Sequence, residues 1–136
     1  MSLASPEKNE VIVDGTMVIK FDLISYEYAQ QDSEASGNSE DGTMYRDVIG
    51  LKNKIYLQFD DPELRSGTNL DNILSLMNGS SYTVNYYDKK AKARVTKLMY
   101  FVCDKIKSQP AKVDNDDFIA EPFEGRFVQM TIDPVS

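Results

Sequence analysis

Residues 44–59 read MYRDVIGLKNKIYLQF. From Lys52 the pattern alternates: Lys52, Lys54, Tyr56 and Gln58 fall on one side, Asn53, Ile55, Leu57 and Phe59 on the other. Successive side chains of a strand point to opposite faces, so this stretch predicts a strand with Ile55, Leu57 and Phe59 toward a core and its lysines toward water. Gly50 suits a turn or bulge after a short strand at TMYRDV. Arg46 and Asp47, just before that glycine, are not explained by alternation. They either fix the turn or meet a neighbouring subunit.

The same period recurs on both sides. EVIVDGTMVIKFDLISYEYAQ is rich in Val, Ile, Tyr and Phe, and Asp14-Gly15 between apolar runs signals a hairpin turn. SYTVNYY places Tyr82, Val84 and Tyr86 on one face, and DKKAK reads as a polar hairpin end. In ARVTKLMYFVCDK both faces turn apolar, Leu98, Tyr100 and Val102 against Met99, Phe101 and Cys103. That strand is either central and covered on both sides or crosses an oligomer interface. FEGRFVQMTIDP predicts a closing strand with Val128, Met130 and Ile132 inward.

The period changes once. After Pro62 ends the strand, SGTNLDNILSLMNG spaces Leu70, Ile73, Leu74 and Met77 as one helical face. Thr68 or Asn69 can cap the start, and Gly79 suits the end. The expected architecture is mainly β: an antiparallel sandwich or partly open barrel of seven to nine strands with one short helix near 68–78.

At 136 residues the chain is one expected domain, 1–136, with residues 1–9 disordered and QQDSEASGNSEDG at 30–42 a long mobile acidic loop or arm. The first ten residues lack the basic-then-apolar pattern of a signal peptide, and no apolar run is long enough to span a membrane. Histidine is absent, which excludes Ser-His-Asp and Cys-His catalysis and His-ligated zinc. Cys103 is the sole cysteine, so no intrachain disulfide forms, and its apolar setting predicts a buried, inert thiol. No cofactor motif is present. Asp60, Asp61 and Glu63 fit strand termination, and Asp114, Asp116, Asp117, Glu121 and Glu124 lack EF-hand spacing.

The net charge of -7 is unevenly spread. Residues 89–112 carry +7, from Lys89, Lys90, Lys92, Arg94, Lys97, Lys105, Lys107 and Lys112 against Asp104, with Tyr86 and Tyr87 nearby. Cations that track phosphates and rings that stack bases are what a single-strand-binding groove needs. A solvated hairpin or a contact with an acidic protein partner uses the same residues, and an acidic chain is a poor dedicated nucleic-acid binder.

The blocks DGTMYRDVIGLKNKIYLQF, LDNILSLMNGSSYTVNYYD, a strand ending YFVCDK, and FEGRFVQMTIDP together resemble small tail and neck structural proteins of tailed phages and prophages of Gram-positive bacteria. Arg46, Asp47, Gly50 and Lys52 match that pattern's first block. Leu70, Leu74 and Asn78, then Val84, Tyr86 and Asp88, match its second. Cys103 stands where that family tends to have glycine. The resemblance implies a non-enzymatic virion protein made in the bacterial cytoplasm. Its expected partners are copies of itself and other virion proteins, with DNA only as passing cargo, no small-molecule substrate and no membrane. Arg46, Asp47, Tyr86, Tyr87, Lys89, Lys90, Lys92, Arg94 and Lys97 are the candidate interface residues.

Overall fold

The computed structural model describes residues 7–32, 37–38, 44–45, 48–114, 119–131 and 133–134. Its strands are β1 (Glu10–Val13), β2 (Met17–Lys20), β3 (Leu23–Asp32), β4 (Gly37–Asn38), β5 (Met44–Tyr45), β6 (Val48–Phe59), β7 (Tyr82–Asp88), β8 (Ala93–Val102), β9 (Phe123–Gln129) and β10 (Asp133–Pro134). One α-helix, α1 (Gly67–Leu76), follows a 3-10 turn at Pro62–Arg65. All strands but β4 and β5, which pair with each other, join one antiparallel sheet in the order β10-β6-β9-β8-β7-β1-β2, with β3 also on β6. Because β3 pairs along β6 from Val48 to Gln58, β9 and β10 share the other side of β6. The mainly antiparallel β architecture with one helix agrees with the sequence expectation, and the sheet is not closed into a barrel.

The first hairpin is set by its turn. Thr16 N–H donates to the Val13 carbonyl at 3.2 Å, and the central residues Asp14 and Gly15 have φ of 52° and 79°. Two positive φ values define a type I′ turn, whose twist matches that of the strands it joins. Only Phe21 and Asp22 separate β2 from β3, the two edges of the sheet, so the sheet curls back toward its own start.

The alternation in β6 holds. Ile55, Leu57 and Phe59 are buried, and they pair with Phe127, Gly125 and Phe123 of β9. That register corrects the reading of the last strand. The face of β9 that meets the core is Phe123, Gly125 and Phe127. Val128 is buried on the opposite face, Met130 is exposed, and Ile132 lies outside the described residues. Gly125 belongs inside because the Phe101 ring occupies the space of a side chain there: an added Cβ would sit 2.7 Å from two ring carbons. At the other end of β6, Gly50 lies within the strand. The pairing passes from Gln31↔Gly50 to Asp32↔Val48, so the irregularity is a bulge rather than a turn.

Helix α1 buries Leu70, Ile73 and Leu76, while Met77 is exposed and Leu74 half-buried. The expected face, Leu70, Ile73, Leu74 and Met77, is thus rotated, because the helix stops with Met77 as its C-cap. Neither Thr68 nor Asn69 caps it. The N-cap is Ser66, whose hydroxyl donates back to the Pro62 carbonyl at 3.0 Å and leaves no side-chain cap. Asn69 instead works on β2. Its amide oxygen accepts from Lys20 N–H at 2.8 Å and its amide nitrogen donates to the Lys20 carbonyl at 3.0 Å. Asn72 donates to the Val18 carbonyl at 3.3 Å. The helix therefore closes one sheet edge with side-chain amides that imitate a neighbouring strand. Leu76, Ile73, Val84, Tyr86, Met99 and Phe127 lie in one buried cluster. Each such side chain contributes roughly 1.5–3 kcal/mol by leaving water.

Candidate interaction surface

The β7-β8 hairpin pairs Tyr82↔Met99 through Asp88↔Ala93, and its inward face is Tyr82, Val84, Tyr86 and Asp88. Tyr86 is 1% exposed and sits in the core cluster, so its ring is not on a surface. Asp88, 6% exposed, shapes the tip. One carboxylate oxygen accepts from Lys90 N–H at 3.2 Å and from the Tyr28 hydroxyl. Lys92 completes the turn at φ 56°. The Tyr26 hydroxyl donates to the Tyr87 carbonyl, which ties β3 to the end of β7.

Cations cover the rings at this end. Lys89 Nζ lies 5.9 Å from the Tyr26 centroid, Lys90 Nζ 5.5 Å from that of Tyr28, and Lys8 Nζ 4.4 Å from that of Tyr87. The rings of Tyr26 and Tyr28 are near parallel, with centroids 6.2 Å apart. Burial pushes the Tyr28 phenol up to about 12, helped by its bond to Asp88 and by that carboxylate's charge. Burial, then Asp88, raises Tyr26 as well, while Arg94 opposes the rise.

Arg94 is spent on structure. Its guanidinium donates to Asn85 Oδ1 at 2.5 Å and to the carbonyls of Asn85, Glu10 and Glu7 at 3.0, 2.9 and 3.1 Å. It thereby anchors residues 7–10, where the sequence predicts disorder as far as residue 9. Burial lowers its pKa, and the nearby Glu10 charge partly restores it. Lys97 is half-buried opposite Val84. Lys89, Lys90 and Lys92 are exposed at the tip, and Lys105, Lys107 and Lys112 on the loop after β8. Arg46 and Asp47 lie outside the described residues, as do Asp116 and Asp117. Of the expected arm at 30–42, residues 30–32 continue β3 and Gly37–Asn38 pair with β5, while residues 33–36 and 39–42 are outside the description.

Three organising side chains have roles that no local sequence signal shows. Arg65, 5% exposed, donates through Nε to the Asp60 carbonyl at 2.9 Å and through a terminal nitrogen to the Ala120 carbonyl, while its own carbonyl accepts from Ala120 N–H at 2.9 Å. Gln129, 1% exposed, accepts from Asn53 N–H at 3.1 Å where β9 leaves the ladder. Asn69 is the third. The acidic residues near Pro62 are likewise architectural. Asp61 accepts from Glu63 N–H at 3.0 Å, and Asp22 accepts from Asp60 and Asp61 N–H at 2.6 and 2.9 Å. Among the described residues no group of three His, Cys, Asp or Glu could hold a metal ion. Cys103 is half-buried, and burial raises its thiol pKa, which disfavours the reactive thiolate.

Two outward features remain. A groove of about 450 Å³ is lined by Ile12, Gly15, Thr83, Asn85, Arg94 and Thr96, and its Asn85 amide already donates to the Thr96 hydroxyl at 2.9 Å. The second is the outer face of β8. Its inner residue Met99 is fully buried, but Leu98 is 43% exposed, with Tyr100 and Val102 half-exposed. Met130, 46% exposed, adjoins Leu98 through a 2.8 Å backbone hydrogen bond. β8 is thus central within the sheet, with Leu98 and Met130 exposed on its outer face, while Val128, opposite Tyr100 on that same face, is buried. Among the described residues no helix is long and apolar enough to cross a membrane. Comparison with known proteins finds no matching family model and no matching curated relative.

Proposed function

We propose that the chain is a non-enzymatic structural subunit of a tailed-phage or prophage virion, placed in the tail or neck and assembling with copies of itself into a ring or stack. The order of sequence blocks from residue 41 to 133 supports the virion reading. The observation that favours assembly is on the outer face of the central strand β8, where exposed Leu98 lies beside exposed Met130, with Tyr100 and Val102 half-exposed next to them. Isolated surface leucines are ordinary, but contiguous apolar side chains on a sheet face fit a protein contact. Single-strand binding through the β7-β8 hairpin is the weaker reading: Tyr86 is in the core and Arg94 is committed to four acceptors.

Size-exclusion chromatography with light scattering, followed by negative-stain imaging, tests the proposal. Discrete rings or stacks at high protein concentration are expected, and Leu98→Lys should dissolve them. Species no larger than a dimer at every concentration would overturn it.

A further inference from the structure

The two edges of the main sheet are not equivalent. At β2, Asn69 and Asn72 of α1 occupy the outward backbone groups of Val18 and Lys20. At β3 the described residues supply no such cover: the ten-residue strand LISYEYAQQD pairs with β6 alone. The strand's own residues lack the devices that normally blunt an edge, although Lys89 and Lys90 of the β7-β8 tip lie over its Tyr26 and Tyr28 rings. It has no lysine, arginine or proline, its bulge falls only at Gln31/Asp32, and Glu27 is partly neutralised by Lys54 at 3.5 Å. Leu23, at 57%, and Tyr28, at 38%, are exposed on it.

We propose that β3 is a homodimerisation edge, and that two copies pair β3 with β3 antiparallel about a twofold axis at Tyr26. The occupant follows from the inequality of the edges. A head-to-tail contact of β3 with the neighbour's β2 would have to displace the asparagine bonds, whereas an isologous contact needs only the open edge twice. The register follows from charge and side-chain type. Centred on Tyr26, the ladder places Tyr26 against Tyr26, Ile24 against Tyr28, Ser25 against Glu27 and Leu23 against Ala29, with no like charges opposed. Centred on Glu27, it sets two carboxylates face to face, which destabilises a cross-strand pair. Centred on Tyr28, it sets Ile24 against Asp32. Of these three registers only the Tyr26-centred one puts aromatic and aliphatic residues opposite each other along one face. The dimer stands apart from the virion reading: it uses a different surface from the outer face of β8, and either can fail alone.

Thiol cross-linking reads the register. Differently tagged Ser25→Cys and Glu27→Cys chains, each in a Cys103→Ala background, are mixed and oxidised with copper phenanthroline in air, which forms a disulfide only between directly opposite thiols. A heterodimeric product is expected from this mixture and not from Ser25→Cys with Ala29→Cys, the pair that the Glu27-centred register would join. Sedimentation equilibrium of the unmodified chain should give a dimer. Leu23→Lys, at a position too exposed to threaten folding, should weaken it by about tenfold or more. Circular dichroism verifies that each variant is folded. A monomer at all concentrations, cross-linking in the second mixture instead of the first, or a dimer indifferent to Leu23→Lys overturns the proposal.

Discussion

Replacing Arg94 by alanine should destabilise the fold and release the N-terminal segment without touching a binding site. Four hydrogen bonds disappear, one to Asn85 Oδ1 and three to carbonyls of Asn85, Glu10 and Glu7. A bond from a charged donor is worth up to about 1.5–3 kcal/mol, but these groups are half-buried and water replaces part of what is lost, so each counts near the lower general limit of about 0.5. The ordering entropy of a long side chain offsets some of the sum. A net loss of about 1–2 kcal/mol results, or roughly 3–8 °C in Tm for a chain of this size. Urea unfolding followed by far-UV circular dichroism and tyrosine fluorescence measures it, since the chain has no tryptophan. Arg94→Lys keeps the charge but lacks the planar fork, and should recover less than half of the loss. Lys89→Gln with Lys90→Gln should change stability by less than about 0.5 kcal/mol, as is usual for exposed positions. Arg94→Ala behaving like the lysine pair, or Arg94→Lys matching the parent, would refute the assignment of Arg94 as an anchor.

Two further outcomes follow from the interior and from the tyrosine cluster. Gly125→Ala should cost about 1–3 kcal/mol in chemical denaturation, because its Cβ overlaps the Phe101 ring. Phe101→Leu in the same chain should relieve part of that cost, and strictly additive losses would exclude the overlap as the cause. Tyr28 titrates near 12 in the folded chain against 10.0 as its ordinary value, so its contribution to stability is whole below pH 10 and is lost as pH rises through about 12. The sign is set by the unfolded chain, which gives up the proton first. Tyr28→Phe should flatten the alkaline fall in unfolding free energy; an unchanged alkaline limb would show that another group is responsible.

How much of this was legible beforehand depended on whether one parity was apolar or both. In β6 only Ile55, Leu57 and Phe59 are large and apolar on their side, so the facing could be read directly. In β9 both parities carry such residues, and Gly125, which has no side chain, hid the inner row of Phe123, Gly125 and Phe127. The period marks the helix, but Leu74 and Leu76 compete for the inner face, and the stop at Leu76 decides between them. Tyr86 shows a different failure. Alternation places it with Val84 on the inner face, whereas its nearness to lysines in the sequence points to a surface. Arg94, Arg65, Asn69 and Gln129 take partners that are mostly far away in sequence, 49 to 84 residues off in bonds such as Asn69 to Lys20 and Arg94 to Glu10. A local window shows their polarity and not what it is used for.

The basic hairpin illustrates why that distinction alters the functional reading. Counted along the sequence, residues 89–112 offer a charge of +7 to a phosphate backbone. Arg94 can reach a phosphate only by leaving acceptors that hold β1 and the residues before it, and Lys97 is half-buried on the inward side. At the tip, Lys89, Lys90 and Lys92 remain. Each phosphate neutralised on a single strand contributes about 0.7 to the slope of log K against log salt, so three lysines yield a slope near 2 in magnitude. That is too shallow for tight binding at physiological ionic strength, and the chain's overall charge of -7 opposes it further. Lys89 and Lys90 also lie over Tyr26 and Tyr28, so stacking a base on those rings would first displace the cations that were to hold its phosphate. The two ingredients of a single-strand groove are present here but are used on each other. Beside the exposed lysines of the loop after β8, the fold leaves unspent the apolar Leu98 and Met130 on the outer face of β8 and the open backbone edge of β3. Contacts between protein chains satisfy both, and a polyanion satisfies neither.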